Sequence, residues 1–161
     1  MSDFYIPDPT NEFEAFLSIN EKRFFNRRNY AHPAKLFWFA EQVKTGSRVD
    51  LKNDDRFKRE KHSYHVILHG EVVRGDTPGN LTYGYLGTAA GISEYMLLLG
   101  AGINQIILDK RPIWDVFVDF GDNPGDGNQI KLGVMLYWMR QGFTYSEPFI
   151  PDPAPGPAPR G

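Results

Sequence analysis

A Pro-Gly turn that runs straight into a helical period is the strongest constraint in this chain. In Gly121-Asp122-Asn123-Pro124-Gly125-Asp126-Gly127-Asn128-Gln129-Ile130, Pro124 presets its backbone angle and Gly125 accepts a positive one. Beyond the turn, Ile130, Val134, Tyr137, Trp138 and Gln141 fall at i, i+4, i+7, i+8 and i+11, one face of a helix over 127–141. The turn holds its two flanking carboxylates, Asp122 and Asp126, in a fixed relation, as acid–base chemistry needs. Asp126 with Gln129 three residues on also fits a capping box opening that helix. Asp122 has no such structural reason.

The same reading places the other elements. Thr10 or Asn11 caps a helix to about Asn26, with Phe13, Phe16, Leu17, Phe24 and Phe25 apolar. Pro33 opens a second helix from Ala34 to about Lys44, ended by Gly46. Residues 46–62 are strongly charged and read as a loop. His65 to Val73 reads as a strand partnered near Leu81 to Tyr85, with Gly75-Asp76-Thr77-Pro78-Gly79 as the hairpin connection. Ser93 opens an apolar helix interrupted by Gly100 and Gly102, and Trp114 to Phe120 alternates as a strand. The sum is a small single α+β domain, mostly helical with a short antiparallel sheet. Its parts are an arm over 1–9, a domain over 10–146 and a Pro-rich, disordered tail over 147–161.

Composition narrows the function classes. At 161 residues the chain is one ordinary domain, and 41% hydrophobic residues suffice for a core. A net charge of −2 argues against a nucleic-acid binder, although Lys22, Arg23, Arg27 and Arg28 form one basic patch and Arg56, Lys58, Arg59 and Lys61 another. The bland reading of both patches is a solvated face. With no cysteine, disulfide scaffolds, thiol catalysis and cysteine-bound zinc are excluded. Met1 to Pro9 does not read as a signal peptide, and no apolar run reaches membrane-spanning length.

Residues 78–91 are glycine-rich without a Walker or dinucleotide pattern. The segment lets backbone approach a ligand, with Asn80 and Tyr83 orienting a substrate, or else it packs helices tightly through small residues. His62, His65 and His69 cluster, but on a strand His65 and His69 stand roughly 13 Å apart, too far to share a metal; neither a metal nor a cofactor is expected. The acids are more suggestive. Asp115 and Asp119 precede Asp122 and Asp126, and Asp50 with Lys52 sits in the earlier loop. Two carboxylates about 5–10 Å apart suit glycoside hydrolysis, one protonated and one ionised.

Several segments, in order, resemble the bacterial toxin 44 family of polymorphic-toxin domains. They are Val43-Lys44-Thr45-Gly46 leading to Asp50-Leu51-Lys52; Gly79-Asn80-Leu81-Thr82-Tyr83-Gly84-Tyr85-Leu86-Gly87 with Ala90-Gly91; Leu98-Leu99 with Ala101-Gly102 and Gln105; and Asp122-Asn123-Pro124-Gly125-Asp126 with Ile130 and Gly133. Val49 stands where the family pattern carries tryptophan, and Leu81 where it carries a second aromatic. The resemblance implies an antibacterial toxin, exported by a secretion system or on a larger carrier without a signal peptide, and a cognate immunity protein. The polar positions it matches are Asp50, Lys52, Asn80, Tyr83, Asp122 and Asp126, with Gln105 beside them.

Three functions remain open on the sequence. The first is a muramidase-like hydrolase of cell-wall glycan acting in a target cell's periplasm. There Asp122 or Asp126 protonates the leaving oxygen, Asp50 or the other acid serves as base or nucleophile, Lys52 tunes or anchors, and Asn80 and Tyr83 position sugar. The second is a metal-independent RNase acting in the cytoplasm, with Lys52 stabilising phosphate charge. The third is a non-enzymatic binding module using the glycine-rich face.

Overall fold

The computed structural model describes residues 6–44, 46–51, 65–109 and 126–143, with 104–109 as backbone only. Within these lie five helices and one two-stranded antiparallel sheet, an α+β domain dominated by helix. In chain order they are α1 (Thr10–Phe25), α2 (His32–Val43), β1 (His65–Leu68), β2 (Glu71–Arg74), α3 (Thr77–Ala89), α4 (Glu94–Asp109) and α5 (Asp126–Arg140). The alternating segment Trp114 to Phe120, the Pro124-Gly125 turn and the tail 147–161 lie outside the described residues.

Helix α3 is where the structure departs most from the sequence reading. Residues 81–85 are not the partner strand of a hairpin, because the glycine-rich segment is helical from Thr77 to Ala89. Pro78 sits in the first turn, where its missing N–H costs nothing and its fixed φ suits a helix. Glycines and threonines are poor helix formers, so propensity does not explain the helix. Burial does: ten of its thirteen residues are buried. A Schellman closure ends it. The N–H groups of Gly91 and Ile92 donate to the carbonyls of Thr88 (2.9 Å) and Gly87 (3.0 Å), with Gly91 at φ +72°.

The stretch read as one strand is instead a hairpin, His65 to Arg74. Leu68 pairs with Glu71, which leaves His69-Gly70 as a two-residue turn, with both residues at positive φ (52° and 82°). That is the primed-turn geometry matching strand twist, and histidine is among the few side chains that tolerate it. The arm and α1 hold the hairpin in place. Ile67 N–H donates to the Pro7 carbonyl (2.8 Å), and His69 N–H donates to Thr10 Oγ1 (2.9 Å).

Smaller corrections follow. Neither Thr10 nor Asn11 caps α1; Thr10 is its first residue, and the Asp8 carboxylate accepts from the Thr10 N–H (3.1 Å) and hydroxyl (2.6 Å). Those two bonds hold the Asp8 carboxyl below its usual range. Helix α4 runs through Gly100 and Gly102 without a break. Phe25 and Gln141 are exposed, whereas Phe13, Phe16, Leu17 and Phe24 take the core positions expected of α1. Trp138 is only half buried, edge-on to Tyr137 and Phe143; Tyr137 is the fully buried aromatic of α5.

The core gathers around the contact of α3 with α5. A β-carbon at Gly84 would lie 2.1 Å from the Ile130 carbonyl oxygen, and one at Gly133 would lie 2.2 Å from the Leu81 carbonyl oxygen and 2.9 Å from the Tyr85 nitrogen. Backbone meets backbone at both points. This is the tight helix packing through small residues that the glycine-rich segment allowed. Ile130, Val134 and Tyr137 of α5 then reach Tyr85 and Leu86 of α3, and α1 closes the other side with Phe13, Leu17 and Phe24. Helix α2 is braced by a buried lysine: Lys35 Nζ donates to the carbonyls of Arg28 (2.9 Å) and Gly91 (3.3 Å), tying the α1–α2 and α3–α4 connections together.

Alanine in place of glycine in a helix interior normally stabilises by about 1 kcal/mol. At Gly84 and Gly133 the sign reverses, because backbone must move. Gly133→Ala and Gly84→Ala each lower unfolding free energy by about 1–3 kcal/mol or more in denaturant titrations. The exposed neighbour Leu132→Ala stays within about 0.5 kcal/mol.

Candidate functional site

One cleft of about 830 Å³ collects residues that are far apart in sequence. Its walls come from α2 (Leu36, Phe39, Ala40 and Val43), the 49–51 turn, α3, α4 and the start of α5. The short turns after α2 position Asp50. Its carboxylate accepts from the Gly46 N–H (2.8 Å), and the neighbouring Val49 and Leu51 are buried and anchor the turn in the core. Asp126 is the first residue of α5, so the helix that seals the core also brings this carboxylate to the cleft.

Four of the seven residues nominated from sequence therefore line one cleft: Asp50, Asn80, Tyr83 and Asp126. Lys52 and Asp122 lie outside the described residues, and Gln105 is placed on α4 by its backbone alone. His62 is likewise outside. His65 is exposed, and His69 sits on the turn with Nε2 3.0 Å from Glu14 Oε1, far from any shared ligand position. Among the described residues no group of three or more His, Asp or Glu side chains is placed to hold a metal.

Gln129 does not close a capping box with Asp126. Asp126 lies within α5, and Gln129 turns to α3 instead of back along its own helix. Its Nε2 donates to Thr77 Oγ1 (2.9 Å), and its Oε1 accepts from Asn80 Nδ2 (2.7 Å). Asn80 is itself buried, so Gln129 satisfies a group whose desolvation would otherwise be costly and fixes the carboxamide at the cleft wall. Arg74 of β2 approaches Asp126 Oδ1 at 3.4 Å and also binds Asp76, linking the hairpin to the site.

Tyr83 has a different part from the one expected. Its hydroxyl donates to the Leu97 carbonyl (3.0 Å), so its proton is committed to α4. Its ring packs on Phe39 at 5.2 Å between centroids, and the two form an aromatic wall. Burial pushes the phenol up to about 12, which keeps it neutral and removes it as a base. Thr82 was not singled out in the sequence. It lines the cleft at 2% exposure, and among the described residues its Oγ1 has no hydrogen-bond partner. A threonine amid glycines carries no signal separating a packing methyl from a binding hydroxyl; only the helical register of α3 reveals it.

The charge of the lining is one-sided. Among the described residues the ionised groups are Glu41, Asp50, Asp126 and Lys44, and Lys44 is paired with Glu41 at 2.5 Å. Apolar and aromatic walls carrying a few placed polar groups are the usual make-up of a small-molecule site.

The phenols give the fold a defined alkaline limit. Burial raises Tyr83, Tyr85 and Tyr137 above the ordinary tyrosine range, and Glu21, accepting from the Tyr85 hydroxyl at 2.5 Å, raises Tyr85 further. A raised pKa gives stability that is complete below the unfolded value near 10 and is lost as pH climbs through the folded one. The last part of the tyrosinate absorbance, that of the buried phenols, should therefore appear together with the loss of far-UV ellipticity above about pH 10. Full tyrosinate absorbance with native ellipticity would contradict it.

No helix among the described residues is long and apolar enough to cross a membrane. No curated protein and no solved structure matches the chain. The bacterial toxin 44 family does: its model matches residues 38–139, and the chain belongs to that family. The matched stretch contains the whole of α3 and α4, all but the last residue of α5, and every cleft residue nominated above.

Proposed function

We propose that this bacterial toxin 44 domain is a toxin that hydrolyses the glycan strands of peptidoglycan. A toxin role follows from the family, and with it an immunity partner. The glycan reading rests on one observation, the convergence of Asp50 and Asp126 on a cleft with an aromatic wall and a predominantly acidic lining.

Glycosidic cleavage needs an acid that protonates the departing oxygen and a carboxylate that activates water or attacks the anomeric carbon. Asp126, or Asp122 just before the turn, takes the acid role, and Asp50 the second. The carbon–oxygen bond breaks as the leaving oxygen gains the proton, and water supplies the replacing hydroxyl and returns the proton. Asn80, held by Gln129, and Thr82 offer hydrogen bonds to sugar hydroxyl or acetamido groups, and Phe39 with Tyr83 offers a face for the ring. Lys52 and Gln105 complete the proposed set. Polyanionic RNA, the main competing substrate, gains nothing from this lining.

Asparagine keeps the shape of aspartate and removes its acid–base function. Asp50→Asn and Asp126→Asn should each reduce release of reducing ends from purified peptidoglycan by about a hundredfold or more while melting temperatures stay close to the parent. Expression behind a periplasmic signal should arrest growth where cytoplasmic expression does not. Full activity in both variants, or cytoplasmic toxicity with RNA degradation, defeats the proposal.

A further inference from the structure

The basic patch at the end of α1 is not a set of solvated side chains. Arg23 lies over Phe24 and Trp38 with its guanidinium carbon 5.7 and 5.8 Å from the ring centroids. Arg27 lies over Tyr30 (4.7 Å) and over Trp38 (5.1 Å), and its Nη1 donates to the Tyr30 hydroxyl (2.5 Å). Arg28 lies over Phe25 and Trp138 at 5.3 and 5.6 Å and donates to the Thr88 carbonyl (3.4 Å). All three are half buried, so ring stacking has already restricted their rotamers.

None of the three forms an ion pair with a carboxylate of the described residues, whereas Arg74 and Arg140 both do. No acid occurs between Glu21 and Glu41. The helix C-terminus accounts for cations at Lys22 and Arg23. It does not account for Arg27 and Arg28, which lie beyond the helix. In a chain of net charge −2, the patch is a concentrated exception.

It is also separate from the cleft. Trp38 and Gln42, which Arg23 contacts, are one turn apart on α2 and lie about 120–160° around the helix from Leu36 and Ala40 of the cleft wall. No arginine of the patch lines the cleft.

We propose that Lys22, Arg23, Arg27 and Arg28 form a docking surface for an acidic protein segment. Pre-ordered guanidiniums donate paired hydrogen bonds to carboxylates with little further entropy loss, and arginine beside tryptophan and tyrosine is the composition of binding hot spots. A nucleic acid fits less well. The ring of Trp38 already carries two guanidiniums, which leaves it poorly placed to stack bases.

The test is fluorescence anisotropy of the full chain with two labelled polyanions, poly-glutamate and single-stranded poly-uridylate, at low ionic strength. Poly-glutamate should bind the parent chain and the Asp50→Asn variant equally, weaken with added salt, and bind the Arg23→Gln/Arg27→Gln variant about tenfold or more weakly. Should that double variant unfold by ellipticity, the exposed Lys22→Gln must still weaken poly-glutamate about threefold. Poly-glutamate binding that is absent, or untouched by these changes in a folded chain, overturns the proposal. So does tighter binding of poly-uridylate through the same arginines. Because the readout is binding and the site lies off the cleft, its failure leaves the glycan reading standing, and the converse also holds.

Discussion

The backbone of α3 touches the backbone of α5, and the rest of the molecule is arranged by that approach. Two glycines, Gly84 and Gly133, face into the partner helix, each where a β-carbon would collide with a carbonyl oxygen. Removing side chains there brings the helix axes close enough for Tyr85, Ile130, Val134 and Tyr137 to pack in one core. It also sets Gln129 within reach of both Thr77 and Asn80. One steric feature thus fixes the core and orients a polar side chain at the cleft.

Around this pair the remaining elements act as braces. The buried Lys35 ammonium is held by two carbonyls on two different connections. A buried charge of this kind is weak evidence for stability and better evidence for a defined arrangement. Glu14 joins α1 to Arg140 of α5 and to His69 on the hairpin turn. Arg74 on the hairpin reaches Asp126. The small sheet contributes little core, but it links the first helix to the first residue of the last.

The sequence made some of this legible and hid the rest for identifiable reasons. Helices α1 and α5 announced themselves through apolar periodicity and α2 through Pro33 and Gly46, and their observed limits differ from the expected ones by a residue or two. Residues 65–89 did not. Glycine and β-branched content there argues for strand by propensity, yet tertiary burial makes α3 a helix, and His69-Gly70 is a weaker turn signal than Asn-Gly. Asp50, Asn80, Tyr83 and Asp126 were found by residue type and by an ordered family-like pattern. Their meeting in one cleft could not be read from spacing. The roles of Tyr83 as a wall, Gln129 as an orienting group and Thr82 as a lone hydroxyl depend on contacts across helices, which no local pattern encodes.

The position of α5 has a temporal consequence. A cleft that takes Asp126 and Ile130 from α5 has an incomplete rim as long as only the earlier elements have been made. Chains emerge from the ribosome in order, and a domain folds as a unit. Until α5 seats its Gly133 against Leu81, a growing chain holds Asp50 and Asn80 without their counterpart. Completion of the cleft therefore coincides with closure of the core.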